Sequence, residues 1–309
     1  MPILCLIVAA ALWGGSFTAS RAALLALPPL SIAFLRSVLT AIVMAPLALG
    51  RGRRDGRVGH GALPVLVLLG ATAVFAYNIL FLGGLRLAPS SDALLLMPTT
   101  APLWTALVAR RTLGERIDRR SAGALAVSCA GIALVVGGMA GGGGWDGRRA
   151  LGDIILLSGA QVFGGSHSVA KVAALRTTPL VATAASNLFG PVLLLPLALG
   201  LEGWTAARGA PAAFWWQMAY LVVAGTVLAF TLWYRSVATL GAARSGAFLP
   251  LVPVFGLILS ALFLGERPAP LQVAGGALVM ASAMVAARRQ PVPPTGDGKG
   301  EGESPLARR

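Results

Sequence analysis

The sequence is poor in charge. Only 12% of its 309 residues are Asp, Glu, Lys or Arg, about half the share of an ordinary soluble domain. Hydrophobic residues make up 56%, and the mean hydropathy is +0.79. A chain with so little polar surface cannot cover its apolar side chains in water, so lipid is the expected solvent. Cysteine and histidine are scarce as well, at two residues each. Cys5 and Cys129 both lie in apolar runs, which excludes a disulfide framework and offers no metal site. A membrane-embedded enzyme needs paired acids, a metal cluster or an activated nucleophile, and the chain has few residues for any of them. It also lacks a nucleotide-binding motif, so neither ATP coupling nor a cofactor is expected. The net charge of +14 does not point to nucleic acid, because the arginines stand in short loops between apolar runs. In membrane proteins such loop arginines set orientation.

What the chain does have is long uncharged runs. Residues 61–85, 121–145, 209–234 and 268–287 contain no Asp, Glu, Lys or Arg. Roughly 20 apolar residues suffice to cross the hydrocarbon core as a helix. The first run lacks the basic residues that precede the apolar core of a signal peptide, so it reads as a retained helix.

The chain also repeats itself. A shift of 150 places lays Trp13-Gly14-Gly15-Ser16-Phe17 on Phe163-Gly164-Gly165-Ser166-His167, and Pro46-Leu47-Ala48-Leu49-Gly50 on Pro196-Leu197-Ala198-Leu199-Gly200. With small slips, Pro102 falls on Pro253, and Leu113-Gly114-Glu115-Arg116 on Leu264-Gly265-Glu266-Arg267. The expected organisation is a first copy over 1–139, a Gly-rich linker over 140–152, a second copy over 153–287 and a disordered tail over 288–309. Each copy carries five apolar segments, near 3–21, 29–50, 62–85, 89–110 and 121–139, then 153–172, 179–200, 212–235, 243–264 and 269–287. Five is odd, so the second copy enters the membrane from the opposite side. The expected fold class is therefore an all-α membrane protein of ten transmembrane helices in two inverted five-helix repeats, a carrier plan with its site at the midplane.

Arginine placement gives an independent orientation. With the N-terminus inside, 18 of the 25 basic residues fall on the cytoplasmic side; Arg21, Arg36, Arg86, Arg148, Arg149, Arg208 and Arg267 do not. This bias follows the positive-inside rule and puts both termini in the cytoplasm, with the protein in the cell (inner) membrane.

Taken together, these features resemble an EamA-type member of the drug/metabolite transporter superfamily. The resemblance rests on Trp13-Gly14-Gly15-Ser16-Phe17, Phe34-Leu35-Arg36, Trp233-Tyr234-Arg235, Pro250 with Pro253, and the two Leu-Gly-Glu-Arg runs, in order and duplicated. It implies a central cavity and the movement of small metabolites, amino acids and their relatives among them, by alternating access. Export is the expected direction. The implied partners are a small-molecule substrate, the lipid bilayer and protons as a candidate coupling ion, with a homodimer as a candidate assembly. The rival functions are a channel or a lipid flippase.

Polar and aromatic residues inside apolar segments are the candidate substrate-binding set. Asp92 opens the fourth segment after Pro89-Ser90-Ser91. There it is either an acid facing the helix dipole or a carboxylate for substrate or proton. His167 is the sole histidine in an apolar segment and can carry a proton or a hydrogen bond. Arg36, inside the second segment, suits two-point binding of a carboxylate, or snorkels to the interface. Trp13, Phe17, Tyr77, Asn78, Trp104 and Tyr234 are further lining candidates. Thr99 adds a hydroxyl between Pro98 and Pro102, where missing N–H groups free carbonyls in the fourth helix. Glu266, in an Arg-containing turn, reads as a surface cap or ion pair.

Overall fold

The structure, a computed structural model, describes residues 1–55, 61–112, 146–174, 176–202, 209–240, 248–249 and 251–287, with a few isolated positions besides. Every regular element among the described residues is helical: α1 (Pro2–Ala23), α2 (Pro29–Asp55), α3 (Ala62–Leu87), α4 (Ser90–Thr112), α5 (Gly147–Ala174), α6 (Pro179–Leu197), α7 (Ala212–Ala219, Tyr220–Leu228 and Ala229–Leu240 in succession), α8 (Leu251–Leu264) and α9 (Pro270–Ala287). The fifth expected segment, 121–139, and the tail from 288 lie outside the described residues.

Side chains are distributed inside out relative to a soluble protein. Leu262, Phe263 and Trp216 are more than 70% exposed, while Ser20, Asp92, Thr100, Ser260 and Gln272 are buried. Five stretches are long and apolar enough to cross a membrane: Pro2–Ala23, Pro29–Pro46, Ala62–Leu87, Val181–Leu201 and Ala212–Trp233. An apolar outer surface on several such helices is what lipid requires.

Glycines in the duplicated motif set the helix contacts. A Cβ on Gly14 would stand 2.6 Å from both the Val252 oxygen and the Gly256 nitrogen of α8. A Cβ on Gly164 would stand 2.5 Å from the Ala101 oxygen and 3.0 Å from the Thr105 nitrogen of α4. Gly14 and Gly164 are repeat equivalents, and so, from the alignment of Pro102 with Pro253, are the residues they face. The same backbone-to-backbone contact thus occurs twice, each time between one copy and the other. Close approach of this kind depends on small residues, because packing, and not water exclusion, joins helices in lipid.

Two local features depart from the sequence reading. α5 begins at Gly147, inside the stretch expected as linker. Asp146 explains the start: its carboxylate accepts the Arg148 N–H at 2.9 Å, and its carbonyl accepts that of Ala150. Aspartate is among the best N-terminal caps. The third segment of each copy also widens into π-helix, over Gly70–Ala76 and Tyr220–Leu228, while α4 stays helical through Pro98 and Pro102. Such widening is enriched at functional positions. Pro250 lies outside the described residues.

Candidate functional site

An aromatic row crosses the helices of the first copy into α5. Phe17 meets Phe81 edge-on at 5.3 Å, Phe81 stacks on Tyr77 at 5.5 Å, Tyr77 meets Phe163 at 4.9 Å, and Phe163 meets His167 at 4.8 Å. The row thus joins α1, α3 and α5. It ends on an exposed imidazole whose Nδ1 lies 3.2 Å from the Thr105 hydroxyl, and that hydroxyl also donates to the Gly164 carbonyl at 3.0 Å. Near Tyr77, midway along the row, stands Arg36, a partly buried guanidinium within the span Pro29–Pro46 and near enough to Tyr77 for the two groups to interact electrostatically. Among the described residues no carboxylate pairs with it; the one ion pair there is elsewhere. A charge left unpaired at this depth is expensive, and it is ready-made for an anion.

A second polar group closes the ends of α4, α5 and α9. Arg149 grips Asp92 with two bonds, Nε to Oδ2 at 2.7 Å and a terminal nitrogen to Oδ1 at 2.9 Å. Gln272 of α9 donates to the same Oδ1 at 2.9 Å. Asp92 is fully buried, while the Arg149 side chain is 30% exposed. Beside them Glu266, in the turn after α8, caps α4: its carboxylate accepts the Ser90 N–H at 2.9 Å, the Ser90 hydroxyl at 2.8 Å and the Ser91 N–H at 2.8 Å. Gly265 makes this reach available. Its φ of +66° turns the chain, and the Glu266 N–H returns to the Ser260 carbonyl at 3.3 Å.

The structure therefore divides the candidate residues. Phe17, Tyr77 and His167 share the aromatic row, with Arg36 near its middle, at Tyr77. Trp13 packs instead on Phe230 and Trp233 of α7 at 5.2 and 5.3 Å. Asn78 is buried, donates to the Val74 carbonyl at 2.7 Å, and leaves its Oδ1 without a partner. Trp104 lies against the core with its indole N–H likewise unpartnered. Asp92 belongs to the polar closure and not to the aromatic row, and it has no contact with water. The side chains of Thr99 and Tyr234 lie outside the described residues. Sequence reasoning missed Phe81, Phe163, Arg149, Gln272 and Asp153. Arg149 and Asp153 are one turn apart, a spacing that pairs side chains on a helix, but the linker expected over 140–152 left Arg149 off the helix that carries Asp153. Glu266 is the cap it was read as, though of a helix in the other copy.

Residues 1–137 and 150–288 each match the family model described as EamA-like transporter family. A protein of Streptantibioticus cattleyicolor described as a probable terminal-alkyne amino-acid exporter is 34% identical over 294 residues, 92% of each chain. The transporter YyaM of Bacillus subtilis is 25% identical over 263 residues, 84% of each chain. A solved crystal structure superposes with a TM-score of 0.63 at 23% identity, covering 92% of this chain and 96% of that one, which shows a shared fold.

Proposed function

Given that the chain belongs to the EamA-like transporter family and is a multi-pass membrane transporter, not an enzyme, we propose that it exports an amino acid or a related small carboxylate by alternating access. In this reading ten helices form two inverted repeats, both termini are cytoplasmic, and the linker around Gly141–Gly144 faces outward. The positive-inside count supports the orientation. Inverted carriers hold substrate near the midplane between repeats. The S. cattleyicolor relative, by its description, supports the substrate class.

One observation carries the proposal: Arg36, within a candidate membrane span and in electrostatic reach of Tyr77, has no carboxylate partner among the described residues. A substrate carboxylate supplies the missing anion, held by two parallel N–H bonds. The row Tyr77, Phe81 and Phe163 then offers an apolar face for the rest of the molecule. Charge-assisted bonds contribute ~1.5–3 kcal/mol, so losing them weakens binding by roughly 10- to 100-fold.

The test is a thermal-shift screen of purified protein against the common amino acids and propargylglycine, a terminal-alkyne amino acid, with each methyl ester as control. At least one free acid should stabilise the protein and drive counterflow in proteoliposomes. Its ester, and Arg36→Gln with the acid, should do neither. Equal stabilisation by acid and ester would remove Arg36 from the site. Cysteine labelling in intact cells at positions 143 and 304 checks the orientation: only the first should react with an impermeant reagent.

A further inference from the structure

Asp153 is used by neither site. It lies on α5 one turn after Arg149, is 4% exposed, and leaves its Oδ1 without a hydrogen-bond partner. Its carboxyl group is within interacting reach of both Asp92 and Arg149. Two buried carboxyl groups thus stand near one guanidinium, which bonds only one of them. Arg149 spends its Nε and one terminal nitrogen on Asp92, and Gln272 also donates to Asp92. Asp153 therefore faces a carboxylate that is already satisfied, while its own oxygen has no donor.

Among the described residues Arg149 is the one cation in an ion pair here; Arg148 on α5 and Arg267 in the turn before α9 are exposed. α3, packed against the same turn of α5, brings Leu87 and Ala88 to Gly152; its nearest charge, Arg86, is exposed. α4 brings Asp92, α9 brings the neutral Gln272, and the turn before α9 brings Glu266, which adds negative charge. On α5 itself Asp146 caps the helix. Two like charges in one dry site do not both ionise, and the stable arrangement keeps a proton on one of them.

We propose that Asp92 and Asp153 form a proton-binding site, filled while this end of the helix bundle is closed. The Asp153 carboxyl group donates its O–H to an Asp92 oxygen, and the Arg149 pair neutralises the charge that remains. When α5 and α9 part from α4, water reaches both acids. Asp153 then releases its proton to that water and both groups stand as carboxylates. The inference rests on the alternating-access reading, in which this end, outward in the proposed orientation, opens once per cycle. The closed state binds one more proton than the open state, so acid favours closure and alkali favours opening. By linkage the closed-to-open ratio changes by up to about tenfold per pH unit.

The experiment measures this equilibrium without substrate, so it can fail while the transport reading stands. Spin labels at Leu151→Cys on α5 and Leu271→Cys on α9 flank the closure, and both positions are exposed. With Cys5 and Cys129 replaced by serine, double electron–electron resonance in lipid nanodiscs reads the distance between labels from acid to alkaline pH. The short distance should dominate in acid and give way in alkali. Asp153→Asn, whose amide donates as the protonated acid does, should stay short at every pH. Asp92→Asn leaves one carboxylate for one guanidinium and should also lose the pH response. If either substitution prevents folding, infrared spectra of the unmodified protein still decide. They should show the carbonyl band of a protonated carboxyl group at neutral pH, shifted in D2O. A distance distribution indifferent to pH, a pH response unchanged in Asp153→Asn, or the absence of that band would overturn the proposal.

Discussion

Alanine at Gly164 would put its methyl carbon 2.5 Å from the Ala101 oxygen and 3.0 Å from the Thr105 nitrogen. Carbon and carbonyl oxygen rest at about 3.3–3.6 Å, so α4 and α5 would have to separate by roughly 0.8 Å. The obstacle is backbone and cannot rotate aside. Overpacking of this kind costs ~1–3 kcal/mol. Alanine recovers ~0.5–1 kcal/mol of helix propensity relative to glycine, which leaves a net loss of about 0–2.5 kcal/mol, centred on ~1 kcal/mol. The neighbouring Gly165 is the internal control. Its nearest atom would be a Val108 methyl at 3.6 Å, an ordinary contact, so Gly165→Ala keeps only the gain. Thermal unfolding of the two variants in one lipid nanodisc preparation should move in opposite directions. Gly14→Ala, with the equivalent contact to Val252 and Gly256, should follow Gly164→Ala. If Gly164→Ala and Gly165→Ala shift the midpoint equally and with the same sign, the close-contact account of this motif is refuted.

Asp92→Asn keeps the shape of the side chain and removes the carboxylate that Arg149 grips, leaving only Asp153 beside it; breaking one side of a buried pair costs ~3–5 kcal/mol, discounted here because Arg149 is part exposed and Asp153 remains near it. Flux per molecule at matched surface abundance should fall at least tenfold, while Glu115→Gln, close in sequence to Arg116, Arg119 and Arg120 and outside the described residues, should transport within about twofold of wild type. Glu266→Gln exchanges an acceptor oxygen for a donor at a cap that takes three bonds. It should lower stability by ~1–2 kcal/mol in thermal unfolding, and a neutral result would mean that Ser90 and Ser91 find other acceptors.

The sequence made the architecture legible because duplication and hydropathy are both periodic signals. The repeat placed Gly14 and Gly164 in equivalent positions, but the helix each one meets is set by the three-dimensional packing. The functional groups were less legible, for definite reasons. Asp92 and Arg149 are 57 residues apart, and Arg149 sat next to a glycine run that read as linker, so nothing local tied the two together. The π-helical stretches carry no proline, and backbone widening has no residue signature, whereas α4 remains helical through Pro98 and Pro102. Arg36 and Tyr77 were both candidates, but their proximity spans two helices and became visible only in three dimensions.

The duplicated glycine contact bears on how the chain is made. α1 leaves the ribosome well before α8, yet the surface that Gly14 fits lies on α8, at Val252 and Gly256. Synthesis proceeds at about 5–20 residues per second, so the glycine face of α1 waits in lipid for tens of seconds before its partner exists. Neither copy can finish its packing alone, since Gly164 in turn needs Ala101 and Thr105 of the copy before it. Assembly is therefore expected as one late, chain-wide docking step instead of two successive half-foldings, and its long sequence separation makes it slow. Until then the newborn first copy is a set of inserted helices with unpaired glycine seams, open to any other helix with small residues to offer.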